Sequence, residues 1–391
     1  MKKALVLGTG KSGAAAAAGL RRRGFAVDFA EGYDLVVASP GLPVKSELQL
    51  GCEELKRRGW KLLAVTGSKG KSSVVKLVAD AINGAGGCAV PCGNYGRPVC
   101  DLLDEAPGWA VVEVSSFQLE TTTLPPDTFE AAVILNLQED HLDRHGSVAV
   151  YHALKRKLLG FAKKGFGGGL EGLGVERFGR LEGLEGLDVW RSGGLEGSGD
   201  EAFGGLEGLL KGSYFDNAIL RPNGCAAIGL MRVAGLDDAQ IRKAFASFEP
   251  LPHRFQTVAE IGGVRYVDDS KATSVAALVA GVRMCAGRVR LVAGGLPKGD
   301  DPKMALSALT ERAEKVYLIG SCAGVFSEAW ATSVDCEICG TLERAVELAR
   351  REARPGETVL LSPGPASFDQ FKSFGARGEA FARLVQKGKT E

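Results

Sequence analysis

The stretch "LLAVTGSKGKSS", residues 62–73, decides how this chain is read. An apolar run of strand length, a loop with two glycines, then Lys71 and Ser72 opening the apolar-periodic run "VVKLVADAINGAG", are the parts of a phosphate-binding loop. The G-x-x-x-x-G-K-[ST] template is met at Gly70, Lys71 and Ser72, but its first position is Val65, so the match is partial. In such a loop the backbone N–H groups of Gly67, Ser68, Lys69 and Gly70 point at phosphate oxygens. The helix N-terminus at Ser72 and Ser73 adds its dipole, Lys71 adds a positive charge, and Ser72 is placed to ligate Mg2+. The plainer alternative is a strand-to-helix turn with an exposed lysine.

With 391 residues, 45% of them apolar and 24% charged, the chain has enough material for two or three cores. A net charge of +1 from dispersed charges supplies neither a nucleic-acid track nor a polybasic membrane patch. The nine cysteines are odd in number and scattered, which suits reduced thiols in a cytoplasmic protein. Cys336 and Cys339 form a CxxC with no second pair nearby, and read as strand thiols rather than a zinc or redox site. The start, "MKKALVLGTGKSGAAAAAGL", mimics a signal peptide, but Gly8, Gly10, Lys11 and Gly13 interrupt its apolar run. No transmembrane segment is expected anywhere.

That start reads instead as strand, glycine turn, alanine helix and a second strand from Phe25, a βαβ unit. Gly8, Gly10 and Gly13 fit G-x-G-x-x-G, with Asp28 or Glu31 near the place of a ribose-binding acid, so NAD, FAD, another nucleotide or mere tight packing all stay open. The chain restarts an α/β pattern near residue 61, where "WAVVEVSS" and "FEAAVILN" are further parallel-strand candidates. "LEG" recurs at 170, 181, 184, 195 and 206, in a segment too rich in glycine for helix or central strand; 165–209 is read as an irregular part of the middle domain without chemistry. Residues 223–248 return to helical periodicity, with Asp237 placed as a cap. After "EPLPHRF" the strands "VRYVDDS", "RVRLVAGG", "KVYLIG" and "TVLLSPG" alternate with helices. The expected domains are 1–60, 61–249 and 250–391.

Two strand ends carry further chemistry. Glu113 lies in the apolar run "VVEVSSFQLE", where an unpaired carboxylate is costly and a Mg2+ partner would relieve it. His141 in "LNLQEDHLDRH" is flanked by acids at a strand end, though a lone histidine of this kind is more often structural or exposed. Lys155, in the basic run "KRK", reads on spacing alone as a solvated helix face.

Taken in order, "VTGSKGKSS", "EVSSFQLE", "EDHLDRH", "YHALKRKLL", "PHRF", "DDSKATS" and "LLSPGPASFDQFKSFGARG" resemble the Mur ligases, from about residue 60 to the end. "DSKAT" and "SFDQFKSFGARG" point within that family to the member that adds D-glutamate. The resemblance implies an α/β protein of three domains: a Rossmann-like N-terminal domain for a UDP moiety, a P-loop ATPase-type central domain, and a Rossmann-like C-terminal domain that closes over ATP and the amino acid. It implies ATP-driven amide formation between UDP-N-acetylmuramoyl-L-alanine and D-glutamate through an acyl phosphate, with two Mg2+ ions, in a cytoplasmic, monomeric enzyme.

By the same resemblance, Ser72 and Glu113 would hold one Mg2+, and His141 with a carbamylated Lys155 the other; His141 could alternatively help deprotonate the amine. Arg254 and Asp269 match ATP-contacting positions, Asn223 an adenine-facing one, and Lys271 lies beside the reacting phosphate. Thr9, Gly10, Lys11, Ser12 and Ser39 would flank the UDP phosphates, Asn94 would touch the muramoyl group, and Thr273, Lys298, Ser367 and Phe374 would meet D-glutamate. Three features depart from the family: Ile219 and Leu220 stand where it has His and Asn, the first domain is short, and the middle domain carries the LEG stretch. The rival readings are another amino-acid ligase of the family, a dinucleotide-dependent oxidoreductase, and a nucleotide-binding relative without catalysis.

Overall fold

A computed structural model describes residues 2–30, 44–138, 141–167 and 206–387. Ser39 and most of the LEG stretch therefore lie outside the described residues. The chain divides into two compact units, Met1–Asp216 with Leu220–Phe248, and Asn217–Ile219 with Glu249–Glu391.

The first unit holds two sheets. Strands β1 (Lys2–Leu7) and β2 (Phe25–Ala30) pair in parallel around the helix Lys11–Arg22, which is the expected βαβ unit. Its glycines are explained by packing: a Cβ on Gly13 would sit 2.1 Å from the Gly8 carbonyl oxygen, and Gly8 itself has φ +89°. The second sheet is all parallel. It comprises β3 (Lys61–Thr66), β4 (Ala89–Gly93), β5 (Trp109–Glu113), β6 (Ala131–Ile134) and β7 (Gly165–Gly167), in the order β4-β5-β3-β6-β7.

Every residue of β3 after Lys61 is buried, as in a parallel strand covered on both faces. One face packs Leu63, Val65 and Val133 under the helices Lys71–Gly84 and Arg221–Val233. The other packs Leu62, Ala64 and Val112 against Leu48 and Leu55 of the helix Glu47–Arg57. That helix belongs to the first 60 residues, yet it shares a core with β3 and β5. The glycine-rich segment contributes structure at both ends: Gly165–Gly167 is an edge strand, where glycine is tolerated, and Glu207–Leu210 is a helical turn.

The second unit holds β8 (Gln256–Ile261), β9 (Val264–Asp268), β10 (Val289–Gly294), β11 (Ala313–Ile319), β12 (Cys336–Gly340) and β13 (Thr358–Leu361), ordered β12-β11-β10-β13-β9-β8. Only β8 runs antiparallel to its neighbour. The sequence shows four of these six; β8 and β12 are half-exposed edge strands without a continuous apolar run. Cys336 and Cys339 fall in β12 as free thiols, both pushed up to about 11 by burial. Asp237 caps the helix Asp238–Ala246 and forms a capping box with Gln240, as its position predicts. Among the described residues no helix is long and apolar enough to cross a membrane.

Candidate active site

In parallel α/β sheets, ligands gather beyond the carboxyl ends of the strands, and each unit places its candidate residues there. At the end of β3, the Thr66 hydroxyl donates to the Val114 carbonyl, 2.8 Å away, fixing that end to the chain beyond β5. The loop then takes two left-handed glycines. Gly67 (φ +152°) passes within 3.0 Å of Leu135 Cβ measured from where its own Cβ would stand; Gly70 (φ +85°) caps the helix Lys71–Gly84. A Cβ on Gly70 would lie 2.2 Å from Asn223 Nδ2, so Asn223, a buried side chain, packs directly on the loop.

Asn136, just beyond β6, holds the loop from the other side. Its Oδ1 accepts from Lys69 N at 2.9 Å and its Nδ2 donates to Lys69 O at 3.0 Å. Ser68 Oγ accepts from Gln138 N and lies 3.0 Å from the Tyr151 hydroxyl, a buried phenol on the helix Val148–Lys157. Ser72 and Ser73 occupy the first turn of the helix, where backbone N–H groups lack intrahelical partners.

Two lysines meet at one atom. Lys71 Nζ donates to Gly67 O at 2.8 Å and to Ser68 O at 3.1 Å, and Lys155 Nζ donates to the same Gly67 O at 3.0 Å. Lys155 is buried and its ammonium lies 4.6 Å from the centre of the Tyr151 ring. The helical face expected to be solvated is therefore the inner face of the site. Two lysine side chains thus reach one carbonyl of the phosphate loop.

Glu113, the last residue of β5, is buried. Its Oε1 accepts from Asn94 Nδ2 at 2.8 Å, while Oε2 is buried without a hydrogen-bond partner among the described residues. An orphaned carboxylate oxygen of this kind fits a hard cation. His141 adopts φ +54° and sets its ring edge-on to Phe117, with ring centres 5.0 Å apart, and 6.3 Å from Tyr151. Among the described residues no three His, Cys, Asp or Glu side chains form a metal cluster.

Thr9, Gly10, Lys11 and Ser12 lie exposed at the turn from β1 into its helix. Gly8 N donates to Ala30 O at 2.9 Å and ties the start of that turn to the end of β2.

In the second unit the ends of β9, β10 and β13 converge. Asp269 accepts from Phe255 N at 3.1 Å and from the Ser362 hydroxyl at 2.9 Å. Burial pushes its carboxyl up to about 7 against those two donors. Arg254 stands between His253 (φ +62°) and Phe255 (φ +48°), two non-glycine residues in the left-handed region, a strained turn of the sort found at functional sites. Lys271 Nζ lies 3.9 Å from the centre of the Phe374 ring.

Leu296 and Ala366 exchange backbone hydrogen bonds, joining the exposed Lys298 loop to the segment with the buried Ser367. Val275 N, two residues past Thr273, donates to Asp300 Oδ2 at 2.9 Å and ties the same loop to the start of the helix Val275–Met284. Arg377 is buried and donates to Ser270 Oγ and Ser270 O, both at 3.0 Å. Ser270 Oγ in turn donates to the Phe374 carbonyl.

The sequence reading assigned no role to Asn136, Tyr151, His253, Asp268 or Arg377. His253 Nδ1 lies 2.7 Å from Asp268 Oδ2, so these two act as a pair. All five stand inside or beside the quoted motifs; what identifies them is specific polar partners, joined by burial at Tyr151, Asp268 and Arg377, which appear only in three dimensions.

The Mur ligase middle domain matches residues 65–166, and the Mur ligase glutamate ligase domain matches residues 253–364. The chain belongs to the Mur ligase family. Curated relatives include the UDP-N-acetylmuramoylalanine–D-glutamate ligase of Dechloromonas aromatica, 34% identical over 456 aligned positions and covering 98% of both chains. The ligase of the same name from Rubrobacter xylanophilus is 36% identical over 458 positions, again with 98% of both chains covered. Alignments of that length around 391 residues need gaps, so these relatives carry segments that this chain lacks.

Among solved structures, the UDP-N-acetylmuramate-alanine ligase MurC of Thermotoga maritima superimposes with a TM-score of 0.60 at 16% identity, covering 99% of this chain and 100% of that one. The MurF ligase of Thermotoga maritima in complex with ADP gives 0.59 at 18% identity, covering 99% and 95%. At such identities the likeness shows the shared fold.

Proposed function

We infer that this chain is an ATP-dependent ligase that adds D-glutamate to UDP-N-acetylmuramoyl-L-alanine in the synthesis of peptidoglycan precursors. The observation that carries this reading is the convergence of Lys71, Lys155 and the orphaned carboxylate of Glu113 at the ends of β3 and β5, in a chain related to named D-glutamate ligases over nearly its whole length.

The reaction begins with two anions. A carboxylate oxygen of the L-alanyl group attacks the γ-phosphorus of ATP, the bond to the β–γ bridging oxygen breaks, and ADP leaves. The amine of D-glutamate then attacks the acyl carbon, a tetrahedral intermediate expels phosphate, and the amine proton passes to a base. Catalysis of the first step consists of positioning and charge neutralisation. Lys71 neutralises and orients the phosphates. Ser72 and Glu113 are proposed to hold one Mg2+, and His141 with a carbamylated Lys155 a second; when bound, the metal neutralises phosphate charge. Carbamylation turns the like-charge pair of Lys71 and Lys155 into an attractive one and supplies oxygen to a hard cation.

Asn223, Arg254 and Asp269 are proposed for ATP, with Lys271 beside the transferred phosphate. Thr273, Lys298, Ser367 and Phe374 are proposed for D-glutamate, Asn94 for the muramoyl group, and Thr9 to Ser12 with Ser39 for the UDP phosphates. Domains at 1–60, 61–249 and 250–391, a monomeric state and a cytoplasmic location complete the reading.

Phosphate release with ATP, Mg2+ and UDP-N-acetylmuramoyl-L-alanine, measured separately with D-glutamate, L-glutamate, L-lysine and diaminopimelate, tests it. Release with D-glutamate alone, with the matching amide formed, is expected. Release with another amino acid would move the substrate within the family. A folded, ATP-binding protein silent with all four would overturn the activity.

A further inference from the structure

His145 is a buried histidine for which the reaction above has no task. It ends the short helix Leu142–His145, whose first turn is closed by bonds from Arg144 N and His145 N to the His141 carbonyl. Its Nδ1 lies 3.1 Å from Glu120 Oε1, and its Nε2 lies 3.0 Å from Ser116 Oγ. Both partners sit on the helix Ser116–Thr121, which starts three residues after Glu113. Glu120 is itself fixed by Arg144, whose Nε and Nη2 reach its two oxygens at 3.2 and 2.8 Å. The Arg144 guanidinium holds the Glu120 carboxyl below the usual carboxylate range, so Glu120 is an ionised acceptor for Nδ1–H. With Nδ1 facing Glu120, Nε2 faces the Ser116 hydroxyl on the other side of the ring.

The order serine, histidine, carboxylate is that of a hydrolytic relay, but Ser116 is only 2% exposed and out of a substrate's reach. The arrangement has a different geometric consequence. The His145 ring packs against Tyr151, with centres 5.5 Å apart, and against Phe117 at 5.4 Å. Phe117 also packs on the His141 ring, and Tyr151 bonds to Ser68 of the phosphate loop. Tyr151 and Lys155 occupy one helix, four residues apart and on one face. His145 thus touches the segment after Glu113, shares its helical turn with His141, and packs on the helix that carries Lys155.

We propose that His145, clamped between Glu120 and Ser116, is a positioning residue that fixes the Glu113, His141 and Lys155 segments against one another so that the two proposed cation sites keep their geometry. This rests on the metal roles proposed above for those three residues. A group that orients metal ligands without touching the metal commonly contributes about 10- to 100-fold in metal affinity or activity.

The test compares three proteins. His145→Phe keeps the ring packing and loses both hydrogen bonds; His145→Gln restores a polar group near Nε2 for Ser116. Each is compared with the parent for its unfolding midpoint, for Mn2+ affinity in the presence of ADP (from the electron paramagnetic resonance of free Mn2+), and for kcat and KM. His145→Phe is expected to stay folded, to bind Mn2+ roughly 10-fold or more weakly, and to lose a similar factor in kcat. Its KM for D-glutamate should stay within about two-fold, and His145→Gln should recover most of the Mn2+ affinity.

A folded His145→Phe protein with parental Mn2+ affinity would overturn the proposal. So would equal losses in both variants that track only their unfolding midpoints, or a parent that binds no Mn2+ with ADP. A parent that binds Mn2+ with ADP but forms no amide from D-glutamate would sink the substrate assignment alone, and the Mn2+ comparison would still decide the role of His145.

Discussion

Asn94 donates its side-chain amide to one oxygen of Glu113 at 2.8 Å, and the other, Oε2, is buried without a hydrogen-bond partner among the described residues. A buried carboxylate oxygen in that condition destabilises the protein unless a cation or donor joins it. Glu113→Gln keeps the shape and the contact side of the residue while removing its charge. The expected outcome is a fall of about 100-fold or more in phosphate release, with an unfolding midpoint in metal-free buffer equal to or above that of the parent. A midpoint that drops together with activity would mean that Glu113 serves the fold.

Gly70 offers a steric test of the loop. Its φ of +85° disfavours any side chain, and an added Cβ would press on Asn223 Nδ2 at 2.2 Å. Gly70→Ala should destabilise the protein by ~1–3 kcal/mol and lower ATP affinity as the loop shifts. Urea unfolding and nucleotide titration measure both. Adding Asn223→Ala should return the part due to the clash and none of the part due to the backbone angle. A double mutant no better than the single would show that the backbone angle dominates.

These two sites also show what was legible in the sequence. The phosphate loop was readable because its chemistry is local: a strand, a turn with left-handed glycines and a lysine at the helix start are all fixed by neighbours in the chain. The sheets were readable where strands are apolar throughout, as in β3 and β10, and not where they lie at an edge, as in β8 and β12. Lys155 was the hardest residue. On spacing alone it belonged to a solvated helix face, and only the resemblance placed it in the site. Its burial depends on contacts with Gly67 and Tyr151, the first of them 88 residues away. Asn136 and His145 were missed for the same reason: each works through partners that no local pattern brings together.

Lys155 separates two chemistries. As an ammonium it donates to Gly67 O and braces the loop; as a carbamate it offers oxygen to a cation. Lys155→Ala is expected to be inactive, losing about 100-fold or more in turnover, and to regain part of it when acetate or formate is added. An added carboxylate ion has no proton to donate to the Gly67 carbonyl, so its rescue reports the oxygen-ligand role. Rescue by a small alkylamine instead would assign the ammonium role, and parental activity in the unrescued variant would remove Lys155 from the site.

Glu54, on the helix Glu47–Arg57, ties the stability of the fold to pH. The side chain is buried at 4% exposure and accepts from Arg57 Nη2 at 2.6 Å and Arg58 Nε at 3.0 Å, with Arg23 Nε at 3.9 Å. Hydrogen bonding to Arg57 lowers its carboxyl to about 2 against the opposing effect of burial. A carboxyl lowered in the folded state stabilises it above the unfolded value near 4.5, and that contribution is lost as pH falls toward 2. Because Arg57 is 69% exposed, solvent screens much of the interaction, and Glu54 contributes at most about 1 kcal/mol rather than the full shift. Glu54→Gln should therefore be less stable than the parent in urea at about pH 7, with the gap narrowing steadily between about pH 5 and pH 3. A gap independent of pH would mean that the glutamate acts through packing, and the arginines around it would then be surplus to the stability of the helix Glu47–Arg57.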